Sequence, residues 1–264
     1  MSRFADHRAS SQILKEIETT PSNFLIIHYS CESFYDTNGK SPRITTIAVK
    51  FFDSGQRKLF AIHQIAERHQ IEPEEISEHY EYLEKQLLDE FYQFVENHLN
   101  NKWIHWNMRD SNFGFEAIEQ RYRVLGGTPI IIPNNNKVDL SRLFLKRYGK
   151  KYIDDPRIKC LMEKNNVNPL NFLDGKQEAE AFENKNYIEL SMSSSAKVEV
   201  FSTFLDLAIN NKLIVNSKKS EIYGNPLIGW YSYFQEKSWG KLFLWLVNIV
   251  IGAIIGGFIT KIFF

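Results

Sequence analysis

Residues 24–34 have the sequence FLIIHYSCESF, and this stretch decides the fold. The apolar run at residues 24–27 is typical of a strand that is buried on both faces inside a sheet. Polar residues begin while the strand pattern continues. Because side chains alternate between faces, His28, Ser30 and Glu32 are expected to point to one side. A carboxylate at the end of a central strand lies where α/β sheets commonly carry their sites, and the alternative is that Glu32 is simply exposed at the edge.

Composition predicts a folded chain and leaves its partners open. The 264 residues are 43% hydrophobic, which suits one sizeable α/β domain with an appendage and excludes a disordered protein. Lys and Arg number 32, as do Asp and Glu, so the formal net charge is zero. The chain therefore has no overall basic field of the kind that attracts nucleic acid, although local basic patches remain compatible with this balance.

The next segments predict an antiparallel meander followed by a crossover. Residues 43–52 and 58–65 are rich in β-branched and aromatic residues and are expected to form strands two and three. Apolar residues at three- and four-residue steps across residues 82–99 predict an amphipathic helix. Residues 102–106, KWIHW, are then expected to form a fourth strand parallel to the first, since a helix has crossed over. This places Asp110 near the end of the first strand.

The remaining segments predict mostly helices. Helices are expected from residue 111 or 112 to residue 126, from Val138 or Asp139 onward, and at residues 187–210. Residues 129–133, PIIIP, are expected to form a short edge strand, where proline is tolerated. Residues 177–184, QEAEAFEN, are acidic and are expected to be exposed.

This order of elements resembles the ribonuclease H-like fold of the DEDD exonuclease family, over about residues 22–210. The first family motif is Asp-x-Glu on strand one, the second is a His-Asn pair followed by an aspartate, and the third is His-x-Ala-x-x-Asp on a helix. Their counterparts here are Ser30-Cys31-Glu32, Trp106-Asn107 followed by Asp110, and Ser194-x-Ala196-x-x-Glu199.

The resemblance implies two-metal hydrolysis of phosphodiesters, with Mg²⁺ or Mn²⁺ held by Glu32, Asp110 and Glu199 and single-stranded nucleic acid as the partner. The sequence departs from the family at two positions. Ser30 replaces the aspartate that bridges both ions, and Ser194 replaces the histidine expected as general base. These departures predict a depleted catalytic site.

Three interpretations of these residues stay open. The domain keeps the fold and a binding role without turnover, or it is an active metal-dependent 3'-5' exonuclease whose ligands are rearranged with help from Asp139 or His28. In the third interpretation, Asp110 and Glu199 are ordinary acids on helix surfaces.

The C-terminal region predicts a membrane anchor. Lys241 and Lys261 bracket nineteen uncharged residues, and a helix of that length spans about 28 Å, close to the ~30 Å hydrocarbon layer of a bilayer. The segment before it is rich in aromatic residues and lysine, as at a membrane interface, and Lys218 and Lys219 add positive charge. Residues 1–21 lack an apolar segment typical of a signal peptide. We therefore expect a single-pass protein in lipid, with a cytoplasmic N-terminal domain at a bacterial inner membrane.

Gly252 and Gly256 form a GxxxG pattern within this helix, which lets two membrane helices approach closely and suggests a homodimer. A further alternative is an oligomerising membrane effector whose soluble domain acts as the sensor. The expected domains are an N-terminal helix, a ribonuclease H-like domain, a juxtamembrane segment and a transmembrane helix, at residues 1–21, 22–215, 216–240 and 241–264 respectively.

Overall fold

The computed structural model describes residues 3–32, 41–109, 113–224, 231, 234–235 and 238–263. The chain divides into two compact units. The tail unit consists of residues 1–12, 144–154 and 215–264, and the sheet unit consists of residues 13–143 and 155–214. Each unit therefore draws on segments that are distant in sequence.

The two units differ in charge. Of the 32 Lys and Arg and the 32 Asp and Glu in the chain, the tail unit holds eleven basic and four acidic residues, a net charge of +7. The sheet unit holds the remaining 21 basic and 28 acidic residues, a net charge of −7. The neutrality of the whole chain is thus the sum of two opposite charges.

Five strands form one mixed sheet in the described part of the sheet unit, in the order β3–β2–β1–β4–β5. The strands are β1 (Phe24–Cys31), β2 (Ile44–Phe51), β3 (Arg57–Ala61), β4 (Lys102–His105) and β5 (Lys137–Asp139). β1 is antiparallel to β2 and parallel to β4, and all eight of its residues are buried. The predicted α/β class, the central buried strand and the parallel fourth strand are confirmed.

Ten helices flank or follow the sheet within the described residues. They are α1 (Arg3–Thr19), α2 (Ile62–Arg68), α3 (Tyr80–Asn97), α4 (Phe115–Val124), α5 (Leu140–Tyr148), α6 (Arg157–Lys164), α7 (Gly175–Glu183), α8 (Tyr187–Ile209), α9 (Lys219–Tyr223) and α10 (Ser238–Phe263). α8 packs across β1, β2 and β3, and α3 packs against α2 and β3. The long helix predicted at residues 187–210 is confirmed as α8.

A buried ion pair fixes α3 and α4 to the sheet. Glu84 on α3 has no exposed surface, and its carboxylate lies 2.6 Å from the guanidinium of Arg121 on α4. The same carboxylate accepts a hydrogen bond from the backbone N–H of Ile44, at the start of β2. Burial raises the pKa of Glu84, and the charge of Arg121 opposes this effect. The pair stabilises the fold on the side of the sheet away from α8.

The predicted third strand forms but is shorter than expected, and the edge strand predicted at residues 129–133 does not form. The third strand ends at Ala61, because Ile62, Ile65 and Ala66 follow at helical spacing and bury one face of α2. Residues 129–133 form no strand, and β5 pairs with β4 instead. Proline lacks the N–H group that a sheet ladder needs, which explains why β5 begins only after this segment.

The tail unit contains the apolar helix α10. Within it, residues 239–257 have a mean hydropathy of 1.8, so α10 is long and apolar enough to cross a membrane. It begins at Ser238, three residues before the predicted start. Trp230, Tyr233 and Lys237 belong to the aromatic and lysine-rich segment predicted at the membrane interface, and they lie outside the described residues. The ends of two other predicted segments, residues 33–34 and 111–112, lie outside them as well.

Candidate binding cleft

A cleft of about 610 Å³ lies in the sheet unit, near the carboxyl ends of β1 and β4. Its walls include His28, Trp106, Phe113, Arg157, Lys197 and Phe201. The parallel pairing of β1 and β4 brings their carboxyl ends to the same edge of the sheet, where α/β proteins commonly bind ligands. Its volume is in the range of pockets that bind small molecules, about 300–1,000 Å³.

A network of buried polar side chains lies at the base of the cleft. Glu178 on α7 has no exposed surface and accepts hydrogen bonds from the hydroxyls of Ser30, at 3.0 Å, and Ser193, at 2.9 Å. Its Oε2 atom lies 2.6 Å from Nζ of Lys197 on α8. The hydroxyls of Ser30 and Ser194 are 2.7 Å apart. β1, α7 and α8 therefore meet in one internally paired polar cluster.

The charges of this network are balanced by its own residues. Lys197 and Glu178 are both at least nine-tenths buried, and a buried ion pair is stable only when each charge has its partner and further hydrogen bonds. The Lys197 ammonium supplies a positive charge to Glu178, which also binds Ser30, the residue beside which the resemblance to the exonucleases predicts metal ions. Ser30, at the place of the bridging aspartate, adds no charge.

Aromatic rings form the walls of the cleft. The ring of Trp106 stacks on Phe201 with centroids 5.6 Å apart and an interplanar angle of 14°. Phe113 stacks on Tyr29 at 4.8 Å, and the Tyr29 hydroxyl accepts a hydrogen bond from the backbone N–H of Gly114. Trp106 and Phe201 are at most 5% exposed and form a fixed apolar wall, whereas the half-buried ring of Phe113 is a flat surface that suits a planar ligand group.

His28 lies between the two aromatic walls and is only 5% exposed. Burial holds the pKa of His28 well below its usual range, and the nearby charge of Lys197 lowers it further, so the imidazole is neutral at pH 7. Neither ring nitrogen has a hydrogen-bond partner among the described residues. His28 thus adds a neutral side chain between the two aromatic walls.

Two arginines lie on the cleft, and the carboxylates they pair with differ in exposure. Nε of Arg109 is 2.9 Å from Oδ2 of Asp139, and its guanidinium also donates to the Asn107 side chain at 2.7 Å. Nε of Arg157 is 3.3 Å from the carboxylate of Asp155, whose side chain is 83% exposed. The Asp155 carboxylate lies mostly in solvent, so its ion pair with Arg157 contributes little to stability.

His105 supports the turn that carries Arg109. Its Nδ1 accepts a hydrogen bond from the backbone N–H of Met108, at 3.2 Å. Burial lowers the pKa of His105 to about 4, while the neighbouring Asp139 carboxylate partly opposes this change. A neutral imidazole at pH 7 fits its role as an acceptor, and this residue acts on the cleft only through the turn.

The structure does not bring the predicted site residues Glu32 and Glu199 together. Glu32 follows β1 and pairs with Arg43, whereas Glu199 on α8 pairs with Lys50 on β2, at 2.7 Å. The close contact between Ser30 and Ser194 lies between them. Asp110 lies outside the described residues.

The separation of Glu32 and Glu199 follows from the direction of α8. Starting at the contact between Ser30 and Ser194, Glu32 is two residues further along β1. Glu199 is five residues further along α8. It pairs with Lys50, which lies opposite Ile26, so α8 runs from Ser194 toward the start of β1. Glu32 and Glu199 are therefore separated by roughly 14 Å along the sheet. Carboxylates that share two metal ions about 4 Å apart must lie much closer together.

The described residues do not fit a two-metal centre. No group of three or more His, Cys, Asp or Glu side chains among them is arranged to hold a metal ion. Glu178, the buried carboxylate at the base of the cleft, is already bound to Lys197. The Mg²⁺ or Mn²⁺ requirement and the role of Asp110 stay predictions.

Glu178 and Lys197, which form the ion pair of the cleft, were not among the predicted site residues. The prediction that residues 177–184 are exposed is wrong for Glu178, because its charge is matched by Lys197, nineteen residues later on another helix. A detectable signal was the presence of Ser194 and Lys197 among the apolar residues of α8, such as Val198 and Phe201. Polar residues on the buried face of a helix indicate a polar partner inside the fold.

A second cavity of about 690 Å³ lies between α2 and the start of α8. It is lined in part by His63, Ile71, Tyr187, Ile188 and Met192. Its lining has no buried charge pair like that of the cleft in the described residues. The cleft at the carboxyl edge of β1 and β4 is therefore the better candidate functional site.

Comparisons with protein-family models, with curated proteins and with solved structures each found no match. The resemblance to the DEDD exonucleases consequently stays a prediction carried by Ser30-x-Glu32, the Trp106-Asn107 pair and the order of the elements. The fold that the structure shows is an α/β domain with a mixed sheet and flanking helices, with an apolar C-terminal helix.

Proposed function

We propose that this protein is a membrane-anchored binding protein whose sheet unit has a ribonuclease H-like organisation and does not hydrolyse phosphodiesters. The observation that carries the proposal is the buried network of Ser30, Glu178, Ser194 and Lys197 at the base of the cleft. In this network a lysine ammonium and serine hydroxyls stand where hydrolysis needs metal ions and carboxylates.

The chemistry of the network opposes metal-dependent turnover. Two-metal hydrolysis requires several carboxylates that hold both ions and activate a water molecule. The Ser30 hydroxyl is neutral and is already hydrogen-bonded to Glu178 and Ser194. The Lys197 ammonium is bound to the buried carboxylate of Glu178 and would repel a divalent cation there.

The ligand class that fits this proposal is the end of a single-stranded nucleic acid. The cleft offers the half-buried ring of Phe113 as a surface for a base, and the Arg157 guanidinium on its wall as a cation for a phosphate group. The sheet unit as a whole carries a net charge of −7, which disfavours long contacts with a polyanion. Binding should therefore involve only the one or two nucleotides that enter the cleft.

The anchor in this proposal is α10, with the sheet unit on the cytoplasmic side of a bacterial inner membrane. Its support is the apolar span at residues 239–257 and the excess of lysine on the N-terminal side of that span. Anchoring would confine the binding function to the membrane surface.

Binding without cleavage is tested with the full chain in mild detergent and a fluorescently labelled single-stranded oligonucleotide. We expect a rise in fluorescence anisotropy that is the same in EDTA and in Mg²⁺ or Mn²⁺, and no shortened product on a denaturing gel. Arg157→Ala should weaken binding at least fivefold. Arg68→Ala is the matched control, because Arg68 is an exposed arginine with an exposed partner, Glu90, away from the cleft.

Two results would contradict the proposal in different ways. Metal-dependent shortening of the oligonucleotide that disappears in Glu32→Ala would establish the active exonuclease instead. Absence of any binding to single strands would remove nucleic acid as the ligand class.

A further inference from the structure

We infer that the tail unit binds the anionic lipid head groups of the membrane that holds α10, through a basic cluster formed by Arg8, Lys146, Lys150, Lys151, Lys218 and Lys219. This inference rests on the membrane anchor of the proposed function. It adds a second attachment, electrostatic rather than apolar, that involves segments far from α10 in sequence.

Three segments of the chain are tied together in the tail unit. The Arg3 side chain donates to the backbone carbonyls of Glu221, at 2.7 Å, and Arg147, at 2.6 Å. The imidazole of His7 is 2.9 Å from the Arg147 carbonyl through Nδ1, and its ring packs edge-on against Tyr223 at 4.6 Å. Residues from the start, the middle and the end of the chain thus form one packed core.

The same core places six other cations at the surface. Arg3 and Arg147 make hydrogen bonds inside the tail unit, and Arg147 is only 6% exposed. All six members of the basic cluster are exposed. Lys146, Lys150 and Lys151 have no carboxylate partner among the described residues, so their charges face solvent.

The acidic residues of the tail unit do not offset this charge. The unit has four acidic residues against eleven basic ones. The Asp154 carboxylate bonds to the side chain of Asn216 at 3.1 Å, and the Glu221 carboxylate accepts the backbone N–H of Lys218 at 2.8 Å. The excess of positive charge therefore remains available to an outside partner.

Chain connectivity favours the membrane as that partner. Thirteen residues separate Gly224 in the packed core from Ser238 at the start of α10, so the two ends are at most about 50 Å apart. Basic clusters next to a membrane span are attracted to anionic head groups, and the tether keeps their effective concentration high. A free polyanion would lack this advantage.

The test uses the full chain in lipid nanodiscs made of phosphatidylcholine alone or with 30% phosphatidylglycerol, a ratio chosen to give an anionic surface of about the strength found in cells. Lysine acetylation rates are read by mass spectrometry. We expect Lys150 and Lys151 to react at least threefold more slowly in the anionic discs, and high salt to remove the difference. Lys164 and Lys176, exposed lysines of the sheet unit, should react equally in both.

A charge reversal sharpens the test. Lys150→Glu with Lys151→Glu should abolish the protection of Lys146 and Lys218, whereas Lys164→Glu with Lys176→Glu should leave it unchanged. Equal rates for the unaltered chain in both disc types, with the protein incorporated, would overturn the inference and leave the anchor intact. A chain that enters neither disc would contradict the anchor and this inference together.

Discussion

The two units of this chain use charge in opposite ways. In the sheet unit, with a net charge of −7, the buried cations are paired, as Lys197 is with Glu178 and Arg121 with Glu84. In the tail unit, with a net charge of +7, cations such as Lys150 lie at the surface without a carboxylate partner in the described structure. A zero net charge for the whole chain conceals this difference. Buried pairs maintain the fold, and exposed unpaired charge is available for binding.

The largest effect that this comparison predicts is at Lys197. Lys197→Met should lower the free energy of unfolding by about 3–5 kcal/mol, because it leaves the Glu178 carboxylate buried and unpaired. Urea titration in mild detergent, followed by tryptophan fluorescence, measures this. The double variant Lys197→Met with Glu178→Gln should recover a substantial part of the loss, and a loss below about 1 kcal/mol in the single variant would show that the pair is not structural.

The next effect is a loss of stability in acid that depends on His105. The folded pKa of about 4 is below the value of about 6.5 expected in the unfolded chain, so the unfolded state binds the proton first. Stability is therefore complete above pH 6.5 and is lost as the pH falls toward 4. Between pH 7.5 and pH 5 the loss should be about 2 kcal/mol.

The His105→Asn variant checks this assignment, since its side-chain oxygen can still accept the N–H of Met108 but does not titrate. Urea titrations at pH 7.5 and pH 5 should show a smaller difference for the variant than for the unaltered chain. An identical pH dependence would assign the acid sensitivity elsewhere, for example to His28, whose pKa is also lowered by burial.

A smaller effect is expected in the apolar part of the tail unit. A Cβ atom added at Gly252 or Gly256 meets no neighbouring atom of the chain, so the face is open to a second helix. Gly252→Leu with Gly256→Leu should weaken a homodimer by about fivefold in a membrane two-hybrid assay. Ile251→Leu with Ile255→Leu is a volume-matched control, and equal signals for both pairs would remove this dimer interface.

The smallest effect is expected at the exposed lysines of the tail unit. Lys151→Met should change the free energy of unfolding by less than about 0.5 kcal/mol, because an exposed, unpaired lysine contributes little to the fold. The same substitution at Lys197 is its counterpart in the sheet unit. Similar losses in the two variants would refute the distinction between structural and available charge.

Local patterns predicted much of the sheet unit. The apolar run at the start of β1 indicated a central buried strand, and the helical spacing across α3 and α8 indicated their length and buried faces. The junction of β3 and α2 was wrong, because a short apolar run such as residues 58–65 suits either structure until its packing is known.

Features that depend on pairs of residues far apart in sequence were not predictable from local patterns. Glu178 looks exposed until Lys197 is placed beside it, and Glu32 and Glu199 look like partners until their separate cations, Arg43 and Lys50, are known. The predicted domain boundaries followed the order of the chain. The contact of Arg3 with Glu221, across 218 positions, has no local signal.

The long helix α8 has a practical consequence for experiments on this molecule. It supplies Lys197 and Phe201 to the cleft and Ile188 and Met192 to the second cavity. A reporter group or a crosslinker attached to this helix would respond to occupancy at either place. Labels meant to distinguish the cleft from the second cavity should be placed on residues that line only one of them. Arg157 lines only the cleft, and Gln70 lines only the second cavity.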